Sequence, residues 1–152
     1  MHPSVAPGLV ELIIASHARV VGAPLVATGL SAAQAARWLY EDAPFCVLAH
    51  NADPDPLFTY VNRTALRCFE YSWDELIGLP SRLSAEAPSQ DEREQLLQAV
   101  ARTGAARGYR GLRIAKSGRR FWIEDVTVWN LVDEHGVRSG QAATYRRWRD
   151  TP

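Results

Sequence analysis

The chain has 152 residues, enough for one domain that buries roughly two thirds of the surface its unfolded form exposes, so a core can form without disulfide or metal staples. Apolar residues make up 47% and charged residues 22%, a globular balance that argues against a disordered tail. Lys plus Arg equals Asp plus Glu at 17 each, which removes the basic excess through which phosphate-neutralising nucleic-acid binders gain affinity.

Leu9, Leu12, Ile13, Val20 and Val21 recur at helical spacing and predict a first helix, ended near Gly22 and Pro24. Glu11 and His17 interrupt this apolar run and no basic stretch precedes it, so it reads as neither a secretory leader nor a membrane span. A cytoplasmic location is expected. Ser31 with Gln34 has the form of a capping box, opening a second helix that carries Trp38 and Leu39 and stops before Pro44. These helices make an N-terminal extension, 1–43, ahead of the domain proper at 44–148 and a C-terminal tail at 149–152.

Phe45 to His50 and Leu57 to Val61 read as strands flanking Asp53-Pro54-Asp55-Pro56, whose prolines forbid regular pairing. Ser72 with Glu75 and Ser89 with Glu92 repeat the capping-box pattern. The first opens a brief turn closed by Gly78 and Pro80, the second a helix from Gln90 to Thr103 with Leu96, Leu97 and Val100 on one face. Three strands follow, Tyr109 to Ala115, Arg119 to Val132 and Val137 to Trp148, joined by turns at Lys116 to Gly118 and Asp133 to Gly136. Tight turns imply antiparallel pairing, and the helices are too few and too clustered for an alternating parallel sheet. The expected fold is α+β, with about five antiparallel strands, short helices on one face and two N-terminal helices.

Phe58 to Leu66 and Phe69 to Gly78 form a strand ending in Asn62, a short helix, and an acidic turn before Leu76-Ile77-Gly78; this resembles the PAS pattern. Pro80 to Glu86, Ser117 to Phe121, Val128 to Leu131 and Gly140 to Thr144 resemble the MEKHLA domain in order, within the span Pro44 to Trp148. The Met-Glu-Lys-His-Leu-Ala string itself is absent. The resemblance implies a PAS-like fold, a role in sensing or partner binding, and no established reaction. The related domain ends plant homeodomain leucine-zipper regulators, where DNA contact belongs to attached parts that are not in this sequence, so DNA binding does not carry over.

Cys46 and Cys68 form no CxxC pair and have no zinc-like histidine spacing; they read as buried free thiols, with no metal site. Arg146, Arg147 and Arg149 beside Trp148 are the one basic cluster and read as a solvated end. Asn62 can cap the helix that follows it while fixing the strand before it, and it is also a candidate ligand contact. Trp73, like Trp122, Trp129, Phe45, Phe58 and Phe69, suits either a cavity wall or the core, and Tyr109, Val126 and Val128 join it as candidate ligand contacts.

Arg113 and Glu124 are the most informative polar pair. A two-residue turn at Ser117-Gly118 would set Arg113 opposite Trp122 and make Glu124 its diagonal neighbour on the same face, where the two could form a structural or surface ion pair or anchor an anionic or carbonyl-bearing ligand. A three-residue turn would move Glu124 to the other face. Phe121 and Ile123 share one parity and Val126 and Val128 the other, so a bulge is expected at Glu124-Asp125. Gln141, between small residues, is a candidate polar contact for a ligand or a helix.

Lys116 to Trp122 resembles a flavin photosensor of the light-oxygen-voltage kind, but Arg63 stands where its reactive cysteine belongs, and the helix from Gln90 to Thr103 has no histidine for haem. Neither cofactor is expected. The sequence thus reads as a module for sensing an unidentified small molecule or binding a partner rather than as an enzyme. Two alternatives stand beside this: a cone-shaped α+β isomerase or hydrolase using cavity carboxylates, and a pure dimerisation module forming a homodimer through the N-terminal helices. Nucleic acid and membrane are not expected partners.

Overall fold

In the computed structural model, which describes residues 5–86 and 89–151, the first helical stretch runs as α1 (Leu9–Ser16) and widens into one π-helical turn, His17–Val21, before Gly22 ends it. Ser31 opens α2 (Ala32–Glu41) with a complete capping box, in which its hydroxyl accepts from the Gln34 N–H at 3.1 Å while its own N–H donates to the Gln34 side chain at 2.9 Å. Two backbone donors that the helix start would leave open are thereby satisfied.

Next come β1 (Cys46–Asn51), β2 (Phe58–Val61), α3 (Arg63–Phe69), α4 (Trp73–Leu76), a 3₁₀ turn (Ser81–Ser84) and α5 (Gln90–Thr103). The Ser72–Glu75 box at the start of α4 forms as expected. The Ser89–Glu92 box does not: Ser89 already has near-helical backbone angles, φ −101° and ψ 0°, and its side chain caps nothing. Its place is taken by Gln90, whose amide donates to the Arg82 carbonyl at 2.7 Å and ties the helix start to the 3₁₀ turn.

The remaining strands are β3 (Ala105–Ile114), β4 (Arg120–Val132), β5 (Arg138–Tyr145) and β6 (Arg147–Asp150). All pairs are antiparallel, in the order β2-β1-β5-β4-β3, with β6 continuing past β5 to pair with the first part of β4. Arg149 and Asp150, assigned to a tail from sequence, are therefore strand residues opposite Trp122 and Phe121.

The bulge expected in β4 is present. Ile123 pairs with Gly111 and Val126 with Tyr109, so β4 spends one residue more than β3 between the two pairs, and Asp125 sits at φ 53°. This puts Phe121, Ile123, Val126 and Val128 on one face despite their change of parity. A compensating irregularity on β3 falls at Gly108, whose φ of 72° suits glycine.

The two sheet faces have separate cores. The outer face carries Val47, Ala49, Tyr60, Trp129 and Leu131 and is covered within the same chain by α1, the π turn and α2 through Val10, Ile13, Leu39 and Tyr40. The Ser16 hydroxyl pins α1 there, donating to the Val132 carbonyl at 3.0 Å and accepting from the Val132 N–H at 2.9 Å. The inner face carries Leu48, Phe121, Ile123, Val126, Val128 and Tyr145 and packs on Phe69, Leu76, Leu96, Leu97 and Val100. Among the described residues no helix is long and apolar enough to cross a membrane.

Candidate functional site

Alternation along β3 places Tyr109, Gly111 and Arg113 on the inner face. A Cβ at position 111 would lie 2.4 Å from the Tyr109 hydroxyl and 2.7 Å from Arg113 Nη1, so the missing side chain is what lets the guanidinium fold back along its own strand. Arg113 is 8% exposed; Nη1 donates to the Leu112 carbonyl at 2.9 Å and Nη2 to the Tyr109 hydroxyl at 3.3 Å.

Facing it, α5 contributes a second buried guanidinium, Arg93, only 6% exposed, whose Nη2 donates to Ser81 Oγ at 2.6 Å. Burial first, and the Arg113 charge second, push its pKa down to about 10. Arg93 was not singled out from sequence, yet its position carried a signal: 93, 96, 97 and 100 share one helical face, so an arginine stands on the same stripe as Leu96, Leu97 and Val100.

Between α5, the 3₁₀ turn and the inner sheet face lies a cavity of about 70 Å³. Arg93, Arg113, His50, Ser81, Tyr109 and Gln141 supply its polar wall, and the rest is mostly apolar, Val126 and Val128 included. Among the described residues no Asp or Glu lines it. His50 Nδ1 lies 2.9 Å from the Asn51 carbonyl, which can only accept, so the ring proton is assigned to Nδ1. Burial, with Arg93 and Arg138 nearby, holds the His50 pKa below the usual histidine value and keeps the ring neutral. Burial likewise pushes the Tyr145 phenol well above its ordinary range.

Of the residues selected from sequence, Arg113, Tyr109, Val126, Val128 and Gln141 meet on this wall. Gln141 is also a fastener, its amide nitrogen donating to the Leu97 carbonyl at 2.9 Å and to Asn130 Oδ1 at 3.2 Å. Asn62, Trp73 and Glu124 lie elsewhere. Asn62 is wholly buried and fully committed to backbone: its Oδ1 accepts from Val47 and Ala65, while its Nδ2 donates to Leu39 and Phe45. Trp73 packs edge-on against Tyr40 and Tyr60, with ring centroids 5.8 and 6.1 Å away.

Glu124 fails as a partner of Arg113 because the turn has three residues. Ala115 N–H donates to the Arg119 carbonyl at 2.9 Å around Lys116, Ser117 and Gly118, and Arg113 pairs with Phe121 rather than Trp122. Glu124 consequently points to the outer side, where it makes ion pairs with Arg110 at 3.3 Å and Arg149 at 3.2 Å. The basic C-terminal cluster is occupied within the chain as well, since Arg147 pairs with Asp125 at 3.5 Å and Arg146 stacks on Phe45 at 4.3 Å. Cys46 and Cys68 are free, buried and off the cavity wall, and among the described residues no group of His, Cys, Asp or Glu could hold a metal ion.

The MEKHLA domain model matches residues 8–150, taking in α1 and α2 together with the whole sheet. The chain belongs to the MEKHLA domain family. No curated protein matches it in sequence. Among solved structures, the MEKHLA chain is similar to the PAS domain of a protein from Colwellia psychrerythraea, with TM-score 0.60 and 17% identity over 72% of this chain and 87% of that one. It is also similar to a light-oxygen-voltage domain studied with a flavin analogue, with TM-score 0.57 and 16% identity over 70% of this chain and 77% of that one. An RNA-binding light-oxygen-voltage receptor aligns with TM-score 0.65 and 20% identity over 83% of this chain, which spans 34% of that receptor. At such identities the likeness concerns the fold, and the MEKHLA chain has the PAS-like α+β architecture expected from its sequence.

Proposed function

We propose that this MEKHLA domain is a signal-sensing module that takes a small molecule between α5 and the inner sheet face, with Arg113 as a polar anchor and Val126 and Val128 as apolar wall. One observation carries the reading: a guanidinium 8% exposed, on the wall of a cavity and, among the described residues, hydrogen-bonded only to a carbonyl and a phenol. Desolvating a guanidinium is costly, and acceptor atoms on a ligand would offset that cost. Gln141 and Asn130 link α5 to the β4–β5 pair, so a ligand that shifts α5 would be felt in the sheet.

Binding fits the cavity better than catalysis. The enzyme alternative asks for carboxylates on the wall, and none is there. Ser81 Oγ accepts from Arg93 and Ser84 Oγ donates to the Ser81 carbonyl, and among the described residues neither hydroxyl is hydrogen-bonded to a side-chain base. Pure dimerisation loses its main support, because α1 and α2 already cover the outer face within one chain. A reading without flavin is supported by the exposed Arg63 after Asn62, by two cysteines that lie off the wall, and by a cavity of about 70 Å³, far below the roughly 300–1,000 Å³ of pockets for drug-sized ligands. The two buried free thiols support placing the module in a reducing compartment such as the cytoplasm.

Native mass spectrometry of freshly purified protein, together with thermal unfolding against a panel of small metabolites, tests the reading. A bound small molecule, or a compound that raises the melting temperature, is expected, with the effect abolished by Ala143→Leu, which fills the cavity. Arg113→Lys keeps the charge but loses the planar fork and should weaken binding about tenfold or more, equivalent to roughly 1.5–3 kcal/mol. Protein that carries nothing and responds to nothing would end the proposal.

A further inference from the structure

Among the described residues the cavity wall holds two guanidiniums and no carboxylate; Glu94 and Asp55, off the wall, offset the burial of Arg93 only in part. Arg93 on α5 and Arg113 on β3 are 6% and 8% exposed, and among the described residues neither forms an ion pair. Neither His50, which carries no negative charge in either form, nor Tyr145, whose phenol burial keeps protonated, offsets them. Arg93, with its pKa near 10, remains charged at neutral pH. Two like charges in a partly dehydrated space impose a standing cost on the empty protein, and a bound anion would remove it.

We propose that the ligand is a small organic carboxylate, its head between Arg93 and Arg113 and its compact apolar body against Leu48, Ile123, Val126 and Val128. This rests on the small-molecule reading above. The wall favours carboxylate over inorganic phosphate: two planar forks suit a planar two-oxygen head, and the large apolar share of the wall suits a hydrocarbon body that phosphate lacks. Size narrows the class. A cavity of about 70 Å³ is far below the roughly 300–1,000 Å³ of pockets for drug-sized ligands, so the class is limited to short-chain carboxylates.

The test uses the full chain with butyrate, isovalerate and hexanoate, their uncharged amides, and inorganic phosphate at matched ionic strength, read by titration calorimetry and thermal unfolding. At least one carboxylate is expected to bind saturably and raise the melting temperature, while its amide binds tenfold or more weakly and phosphate shifts the melt no more than salt does. Arg93→Gln and Arg113→Gln should each lose tenfold or more of that affinity. Without ligand, both variants should melt at the same temperature as the parent or higher, because one unpaired buried charge is gone; a merely structural arginine would give the reverse. The acid-against-amide comparison needs no variant and survives one that fails to fold. Equal affinity for acid and amide, or tighter binding of phosphate, would overturn the carboxylate assignment and leave the cavity reading standing. Protein that ignores every probe but carries another compound in native mass spectrometry would overturn this inference alone, and an empty, unresponsive protein would overturn both.

Discussion

Asn62 shows how much one amide can hold together. Its oxygen caps α3 at Ala65 and fixes β1 at Val47, and its nitrogen reaches the end of α2 at Leu39 and the entry to β1 at Phe45, all within 3.1 Å and out of reach of solvent. Asn62→Ala leaves four buried backbone groups without this partner and is expected to cost about 3–5 kcal/mol, the cap alone contributing about 1. Asn62→Asp retains both accepted bonds but loses both donated ones and buries a charge, so it should be no milder. Urea unfolding with an unchanged slope would report both losses; a loss below about 1 kcal/mol would mean that the network relaxes around the gap. The capping half of this role was legible from an Asn between a strand and a helix. The donated half was not, because the approach of Leu39 is tertiary, and without it the Asn62 amide is free in sequence terms to meet a ligand. Arg93 is the converse case, a site residue whose helical spacing pointed inward while its charge suggested the surface.

Among the elements, β4 shows what a strand's sequence reveals and what it conceals. Its change of parity announced the bulge, and Asp125 adopts the left-handed geometry that the bulge demands, φ 53°. Asp125→Gly removes the Cβ penalty and gives up only an exposed pair with Arg147, so stability should stay level or rise by a few tenths to about 1 kcal/mol. Asp125→Val, β-branched at positive φ, should lose about 1–2 kcal/mol. Thermal unfolding of the two variants decides the matter, and equal melting temperatures would show that β4 runs straight in solution. The turn before β4 was not legible, since Lys116-Ser117-Gly118 satisfies both loop lengths. Contacts distant in sequence hold the longer one: the Glu70 carboxylate accepts from Ser117 N and from Arg119 Nε, each at 3.2 Å, and Lys116 N donates to the Phe69 carbonyl at 3.0 Å. With that register Glu124 left the site, and the partner expected for Arg113 became the outer-face partner of Arg110 and Arg149.

At the scale of the molecule, helix and strand order and the two faces of the sheet were readable from periodicity and turns, whereas the seating of the N-terminal helices was not. Their apolar spacing required a surface to cover, and nothing local distinguishes the chain's own sheet from a second copy's. The structure seats them on the outer face, where they bury Val47, Tyr60, Trp129 and Leu131. Residues 9–42 are therefore expected to be indispensable to the fold. At about 1.5–3 kcal/mol for each large apolar side chain returned to water, uncovering these four side chains would consume much of the roughly 5–15 kcal/mol that stabilises a domain. The same deletion removes the Leu39 carbonyl bonded by Asn62 and the Ser16 hydroxyl bonded to Val132, leaving polar groups to be resatisfied on both sides of β1 and β4. Protein beginning at residue 43 should associate through the exposed face and lose cooperative unfolding, as read by light scattering after size exclusion and by a thermal melt. A truncated protein that stayed monomeric and melted within a few degrees of the full chain would mean that the sheet is stable uncovered and that α1 and α2 are accessory to it.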